Sequence, residues 1–371
     1  MRYGKLQLLT VFSAALTIGA PTRAEVRIGL AAPLTGNVAW PGGETVEGAE
    51  IAVADLNQKG GVLGEQIVMI TVDDYCDGEQ AVAAANKLIA SDVVMAFGHQ
   101  CSGAAIPASQ LYAEAGILMI STLATNPMLT EQGFWNVFRV VGRDDVQGEI
   151  AAELLAERWG HQAIAIVHDG KAYGEGLAEE TKKGLNRRGV REAMFEEIAP
   201  AQVDYFDLIE QMKRHGIAVL YYGGYAPEAA VIMRQARSSG FDLQLVSGDG
   251  LGNEDFALIA GSAADGALMT LVPDPRANPA AATLAERLDR LGAEPAYTAY
   301  AAVQVWAQAV EQVGKVETEA VAGALRGGEF DTVLGRIGFD GKGDVTGYNT
   351  FVWYQWRGGD YAPVDPGQLS E

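Results

Sequence analysis

Cysteine and histidine are scarce in this chain of 371 residues, which contains two cysteines and four histidines. The histidines are scattered at positions 99, 161, 168 and 215, and none belongs to a His-Glu-x-x-His zinc motif. The chain also lacks a Gly-x-Ser-x-Gly nucleophile motif and a phosphate loop ending in Gly-Lys-Ser/Thr. These absences argue against common hydrolase classes, and we predict a protein that is not an enzyme and uses no cofactor or metal ion.

Positive charge is also in short supply. The chain has 27 Lys and Arg residues against 48 Asp and Glu residues, a formal net charge of −21. Phosphate backbones and anionic membrane surfaces repel a chain with so large an acidic excess. Nucleic acid is therefore not an expected partner.

No apolar run reaches the roughly 20 residues that a membrane-spanning helix needs. The run at 6–20 follows Arg2 and Lys5, is interrupted by polar residues, and leads to small residues that end at Ala24. This is the pattern of a secretory signal peptide, which we place at residues 1–24. No cysteine lies near the cleavage region, so we expect a soluble protein outside the cytoplasm without a lipid anchor.

The two cysteines, Cys76 and Cys101, each follow a predicted strand, at 67–73 and 93–97. Parallel strands end at one edge of a sheet, so the two thiols are expected side by side, and an oxidising compartment favours a disulfide between them. The alternative is a nucleophilic Cys101 served by the nearby His99. That alternative is weaker because no other Cys/His pattern supports catalysis.

Short β-rich runs alternate with amphipathic segments through most of the chain. Such alternation predicts right-handed βαβ crossovers and parallel sheets covered by helices on both faces, here in two open α/β lobes. The predicted strands are 26–31, 67–73, 93–97, 117–121, 163–168, 191–196, 218–222 and 243–246. The predicted helices are 44–57, 79–90, 102–115, 145–159, 176–187, 205–215, 228–239 and 299–313.

The end of the chain changes character. The segments 336–339 and 348–356 flank a turn at 340–344, which predicts an antiparallel hairpin. Asp340 and Asp344 superficially suggest a calcium loop. Val345 stands where that loop needs glycine, and the terminal glutamate is missing, so we interpret the segment as a turn.

Hydroxyl groups follow two strands of the first predicted lobe. Ser102 is placed to N-cap the helix after strand 93–97, where free N–H groups and the helix dipole favour an anion. Thr125 follows strand 117–121. Ligands bind at the carboxyl ends of strands in open α/β sheets, and the corresponding loops of the second lobe are 169–174, 223–225 and 247–250. A cleft between the lobes is predicted, although both hydroxyls could also merely cap local backbone.

Ordered sequence stretches resemble a known family over essentially the whole chain after residue 24: Gly48-Ala49-Glu50, Asp73-Asp74-Tyr75-Cys76-Asp77, Gly98-His99-Gln100-Cys101-Ser102, Tyr173-Gly174-Glu175-Gly176 and Tyr221-Tyr222-Gly223-Gly224-Tyr225. The chain is similar to type I periplasmic solute-binding proteins of the branched-chain amino acid transport group. The resemblance implies two Rossmann-like lobes joined by three hinge crossings near 143, 273 and 352. Lobe 1 would comprise 25–143 and 274–352, and lobe 2 would comprise 144–273 and 353–371.

The same resemblance implies the roles of the site residues. Ser102 and Thr125 would bind a ligand carboxylate, whereas the Leu123 carbonyl and Asp249 would bind an ammonium group. Tyr173 and Tyr225 would close over the ligand from the second lobe. The remaining implied ligand-binding residues are Trp40, Gln100 and Ala124. The resemblance also implies the Cys76–Cys101 disulfide.

This chain departs from the leucine-binding members of the family at several positions. Those members usually have Glu at 249, a small residue at 123, an apolar residue at 100 and Tyr near 41, whereas this chain has Asp249, Leu123, Gln100 and Trp40-Pro41. We expect alanine, proline, serine or γ-aminobutyrate to bind better than leucine or isoleucine.

The function implied is capture of a small amino acid by a monomeric periplasmic protein, with delivery to the membrane permease of an ABC transporter. The alternative is a sensor of amino acids or amides that reports to a receptor or regulator.

Overall fold

The structure is a computed structural model that describes residues 25–36, 38–288 and 293–368. The predicted signal peptide lies outside the described residues. Two large sheets organise the chain, and each carries helices packed against it. No helix within the described ranges has the length and apolar character needed to cross a membrane.

The first sheet has five strands in the order β2-β1-β3-β4-β5, and all of its pairings are parallel. Its strands are β1 Glu25–Ala32, β2 Gln66–Asp73, β3 Met95–Gly98, β4 Leu118–Ser121 and β5 Val137–Arg139. The helices between them are α1 Trp40–Gln58, α2 Gly78–Ile89, α3 Ser102–Ala115 and α4 Met128–Glu131. The predicted parallel alternation is confirmed for this half of the chain.

The second sheet has seven strands in the order β15-β14-β10-β9-β8-β6-β7. Its parallel strands are β6 Ala163–His168, β7 Met194–Glu197, β8 Ile217–Gly223, β9 Gln244–Ser247 and β10 Leu268–Leu271. The helices of this part are α5 Asp144–Trp159, α6 Ala172–Arg187, α7 Phe206–Arg214, α8 Ala226–Ser238 and α9 Glu254–Ala260. The sheet is mixed, because its last two strands come from the end of the chain and run antiparallel.

Between these strands the chain returns to the first sheet. It forms helices α10 Ala282–Ala285, α11 Glu294–Val313 and α12 Thr318–Gly327, and then a small antiparallel sheet of β11 Glu329–Thr332, β12 Gly335–Phe339 and β13 Val345–Thr346. Helix α11 packs along α1 and carries the predicted apolar stripe, whose Trp306 is 1% exposed. The chain finally enters the second sheet as β14 Val352–Arg357 and β15 Asp360–Pro363.

The predicted hairpin partner at 348–356 is wrong. The partner of β12 is β13, which ends at Thr346. Gly347 has φ +100°, and a Cβ there would lie 2.6 Å from the Arg336 carbonyl oxygen, so the chain turns away at this glycine. Strand β14 instead pairs antiparallel with β10 in the second sheet. Its aromatic residues on both faces are buried, as suits a strand inside a covered sheet.

The chain therefore passes between the two large sheets three times, in segments 140–143, 272–281 and 347–351. We refer to the first sheet with its helices as lobe 1 and to the second as lobe 2. The assignment of lobe boundaries at 143, 273 and 352 stays a prediction.

Two helix starts and one helix cap differ from prediction in ways that matter for the site. Helix α1 begins at Trp40 rather than 44, with a proline in its first turn, where the missing N–H costs nothing. Helix α6 begins at Ala172 rather than 176, so Tyr173 is helical. The N-cap of α3 is Cys101, and no side chain makes a capping hydrogen bond at this end. Ser102 is the first residue of the helix, so its predicted N-cap role is wrong.

Cys76 and Cys101 form a disulfide with their Cα atoms 5.3 Å apart. The bridge connects the loop after β2 with the start of α3. The alternative of a nucleophilic Cys101 is wrong, because its sulfur is bonded and His99 is engaged elsewhere. The Nδ1 atom of His99 lies 2.7 Å from Asp74 Oδ2, and its Nε2 lies 3.2 Å from the Tyr112 hydroxyl.

We expect thiol titration of the denatured, unreduced protein to find no free sulfhydryl. Reduction should lower the free energy of unfolding by about 3.5 kcal/mol, because the bridge closes a loop of roughly 26 residues in the unfolded chain. Urea unfolding with and without reductant measures this difference. Two free thiols per chain would refute the disulfide.

Candidate functional site

A cavity of about 110 Å³ lies between the two lobes, near the carboxyl ends of their parallel strands. Eight of the nine predicted ligand-binding residues line it: Trp40, Gln100, Ser102, Leu123, Thr125, Tyr173, Tyr225 and Asp249. Ala124 is not among the lining residues. Its side chain is buried, its N–H donates to Ser121 Oγ and its carbonyl accepts from Arg139. A ligand-binding role for Ala124 stays a prediction.

Two buried hydroxyls form the lobe 1 wall of the cavity. Ser102 is the first residue of α3, directly after the loop that follows β3, and its Oγ accepts a hydrogen bond from the Asn126 N–H at 3.2 Å. Thr125 Oγ1 has no hydrogen-bonding partner within the described parts of the chain. The first turn of α3 adds N–H groups that a helix cannot satisfy internally. This wall offers donors to an anion without any cationic side chain.

Asp249 occupies the opposite wall, in a 3-10 turn after β9. Its Oδ1 accepts hydrogen bonds from the Tyr173 hydroxyl at 2.8 Å and from Gln147 Nε2 at 3.0 Å. Gln147 Oε1 in turn accepts from the backbone N–H of Asp249 and from the Thr270 hydroxyl. The carboxylate is thus held in one orientation, while burial raises its pKa above the ordinary value.

A second carboxyl group, that of Asp144, lies behind Asp249. Both accept from the same Gln147 amide, at 3.3 Å for Asp144 Oδ1. Burial and then the charge of Asp249 raise the pKa of Asp144 well above its usual range. The nearby Thr125 hydroxyl acts in the opposite direction and lowers the pKa of Asp144, although the two groups do not have the geometry of a hydrogen bond. Asp249 lines the cavity whereas Asp144 does not, so Asp249 is the carboxylate of this pair that a cation in the cavity could contact.

The charge of the lining is one-sided. Among the described residues that line the cavity, Asp249, Asp255 and Glu294 are acidic and none is Lys, Arg or His. The rest of the lining is largely apolar and includes Val38, Leu123, Val141, Leu271, Val272 and Phe351. Within the described ranges, no group of His, Cys, Asp and Glu side chains is arranged to hold a metal ion.

The two lobes are in contact at two points near the cavity. Asn126 Nδ2 of lobe 1 donates to the Ala172 carbonyl of lobe 2 at 2.6 Å. A Cβ at Gly176 would lie 2.5 Å from that amide nitrogen, so the contact requires a glycine there. The Tyr225 hydroxyl lies 3.8 Å from Cys76 Sγ, and the Tyr225 ring lies 5.2 Å from that of Tyr173. The lobes therefore meet directly through Asn126 and through Tyr225.

Several residues that shape the site were missed by the sequence analysis. Gln147 orients Asp249, Asn126 joins the lobes, and Arg139 donates to the carbonyls of Ala124 and Asn126 on either side of Thr125, at 3.0 Å each. No local motif marks these residues. Gln147 and Asn126 contact residues 102 and 46 positions away along the chain, and only the arginine at 139, within an apolar run, is an unusual residue for a buried strand.

Glu294 was also missed. It begins α11, lines the cavity and accepts from the Tyr361 hydroxyl of lobe 2 at 3.3 Å. Burial raises the pKa of this carboxyl to about 7. The folded protein therefore binds this proton more tightly than the unfolded chain does.

For Glu294→Gln we expect a flatter dependence of stability on pH. In the wild type, Glu294 does not lower the free energy of unfolding below its ordinary pKa of 4.5. The free energy of unfolding falls as pH rises from 4.5 to about 7, because the unfolded chain releases this proton first. The loss should reach at most about 3 kcal/mol. Thermal unfolding of both proteins between pH 4.5 and 8 isolates this residue, because other buried carboxyls are common to both. Parallel pH profiles would contradict the assignment.

Comparison with known proteins agrees with this architecture. A family described as periplasmic binding protein matches residues 25–360. The Leu/Ile/Val-binding protein homolog 1 of Brucella melitensis is 43% identical over 355 residues, covering 94% of this chain and 96% of that protein. The leucine-, isoleucine-, valine-, threonine- and alanine-binding protein of Pseudomonas aeruginosa is 37% identical, covering 96% and 98%.

Among solved structures, the leucine-binding protein LivK from Thermotoga maritima superposes with a TM-score of 0.83 at 26% identity, covering 93% of this chain and all of that one. Its likeness extends over both lobes. Since the family match spans both lobes and the relatives align over nearly their whole length, this chain belongs to the periplasmic binding protein family and has its type I two-lobed α/β fold.

Proposed function

We propose that the protein captures a small zwitterionic amino acid in the cavity between its lobes. The observation that carries this proposal is the opposition of two buried hydroxyls on lobe 1, Ser102 and Thr125, to the half-buried carboxylate of Asp249 on lobe 2. Hydroxyls and free helix N–H groups suit a carboxylate, and a desolvated carboxylate suits an ammonium group. The Leu123 carbonyl is a second acceptor for that ammonium group.

The ligand would stabilise the closed arrangement, because it touches both lobes only when they meet. A ligand shifts such an equilibrium by its difference in affinity for the two states. Tyr173 and Tyr225 cover the cavity from lobe 2, and their rings pack on each other. Closure by a hinge between two lobes is a common device for capturing small ligands.

The far end of the cavity favours a short aliphatic side chain on the ligand. Apolar residues dominate the lining, and relatives of this chain bear names that include leucine, isoleucine, valine, threonine and alanine. Leu123 and Gln100 both line the cavity, so alanine, serine, proline and γ-aminobutyrate remain the ligands expected to bind better than leucine or isoleucine.

Calorimetry of ligand-stripped protein against these amino acids tests the proposal. We expect at least one of them to bind in the micromolar range or tighter, and Thr125→Val to weaken that ligand. Mass spectrometry should find the ligand unchanged after prolonged incubation, as suits a protein that is not an enzyme. Failure of every amino acid to bind below about 1 mM, some −4 kcal/mol, would refute the proposal.

We further propose that the protein acts in the periplasm and hands its ligand to the permease of an ABC transporter. Support comes from its membership of the family and from a signal-like segment at residues 1–24. N-terminal sequencing of the secreted protein should locate a start near residue 25. Uptake of the ligand by cells lacking this protein should fall, whereas loss of a sensory response with uptake intact would favour the sensor alternative.

A further inference from the structure

The side-chain amide of Gln100 has a fixed orientation in the cavity wall. Its Nε2 donates to the Pro41 carbonyl oxygen at 2.7 Å and also contacts the Thr45 hydroxyl. A carbonyl oxygen only accepts hydrogen bonds, so the nitrogen end of the amide must face Pro41. The opposite assignment would place two acceptors against each other.

This orientation leaves an acceptor unused. Gln100 is 5% exposed and lines the cavity, and its Oε1 has no hydrogen-bonding partner among residues 25–36, 38–288 and 293–368. A buried polar atom without a partner costs free energy that a matching donor would recover. Thr45 and Pro41 already take the donors of this amide, so Gln100 can only accept from a ligand.

We propose that Gln100 selects ligands whose side chain donates a hydrogen bond, and this inference rests on the proposed function. The ligand class is a short amino acid that carries a side-chain hydroxyl, such as threonine or serine. Valine has the shape of threonine with a methyl group in place of the hydroxyl. The apolar walls contact both alike, so the difference between them reports the hydrogen bond to Gln100 Oε1.

Two isosteric pairs measure this preference: threonine against valine, and serine against α-aminobutyrate. For each pair we compare dissociation constants by calorimetry in the ligand-stripped wild type. One net hydrogen bond to an otherwise unpaired buried acceptor should favour the hydroxyl ligand by about tenfold. Ratios within about twofold of one for both pairs would overturn the proposal, including the case in which a bound water satisfies Oε1.

Gln100→Met keeps the length of the side chain and removes the acceptor. The ratio within each pair should then fall to about one or invert, whatever the variant does to affinity as a whole. The matched control is Gln132→Met, since Gln132 also lies in lobe 1 but donates to Ser109 Oγ at 3.0 Å and does not line the cavity. That control should retain the wild-type ratios.

Thr45→Val provides a second variant that spares the acceptor. It removes one partner of the Gln100 nitrogen and should leave the ratios close to those of the wild type. A hydroxyl preference that persists in Gln100→Met would assign the preference to another residue and overturn the proposal. Absence of binding by every amino acid would instead refute the proposed function, so the two failures are distinct.

Discussion

Replacing Asp249 with asparagine is expected to weaken amino acid binding by roughly 30-fold to several thousand-fold, which corresponds to about 2 to 5 kcal/mol. The asparagine carbonyl can still accept from the Tyr173 hydroxyl and from Gln147, so the shape of the wall is retained. The change removes the negative charge that would balance a buried ammonium group. Calorimetry of the ligand-stripped variant against the best wild-type ligand measures the effect.

Asp255→Asn is a matched control for this experiment. Asp255 also lines the cavity, but it lies in the first turn of α9, where its N–H donates to the Asn253 side chain. Its substitution should change affinity by less than about threefold, the equivalent of under 1 kcal/mol. An Asp249→Asn protein that binds as well as this control would place the ammonium group elsewhere in the cavity.

The sequence predicted most of the elements because their signals are local. Apolar runs of four to eight residues and amphipathic segments alternate over both lobes, and the rule that such units form right-handed crossovers then determines parallel sheets. The predicted hairpin at the end of the chain is wrong because the true strand pairing there is not local. The partner of β14 is β10, some 80 residues earlier, and no turn signal can reveal so distant a pairing.

The rule that ligands bind at strand ends brought Ser102, Thr125, Asp249, Tyr173 and Tyr225 together, and these residues do line one cavity. The interactions that hold these residues in place could not be predicted from the sequence. Gln147 lies 102 residues from Asp249 along the chain, and glutamine in a helix carries no signature of its own. Residues that position a site are therefore harder to find than residues that form it.

Arg139 illustrates this distinction most sharply. It is fully buried at the end of β5, and its Nε lies 2.7 Å from Asp344 Oδ1. Its other nitrogens donate to the carbonyls of Ala124 and Asn126 and to the Thr130 hydroxyl. A buried cation needs such partners, because its transfer from water is otherwise prohibitive. Through its hydrogen bonds to these two carbonyls, Arg139 holds the backbone on both sides of Thr125, a residue proposed to bind the ligand carboxylate.

Arg139→Met should lower the free energy of unfolding by about 3 to 5 kcal/mol, the usual cost of removing one partner from a buried ion pair. The carbonyls of Ala124 and Asn126 would lose their donor, and the Asp344 carboxylate would keep its ion pair with Arg143 but lose the one with Arg139. Affinity for the ligand should also fall, because the Thr125 hydroxyl is no longer held in place. Urea unfolding gives the first quantity and calorimetry gives the second.

Arg143→Met is the matched control, since Arg143 binds the same carboxylate at 2.7 Å but its side chain is 16% exposed. It contacts no carbonyl of the Thr125 loop, and its ion pairs with Glu131 and Asp145 lie nearer to solvent, where each contributes about 1 kcal/mol or less. The control should therefore cost less stability than Arg139→Met and leave affinity almost unchanged. Equal effects of the two substitutions would mean that Arg139 acts only through Asp344, and that its hydrogen bonds to Ala124 and Asn126 do not position the site.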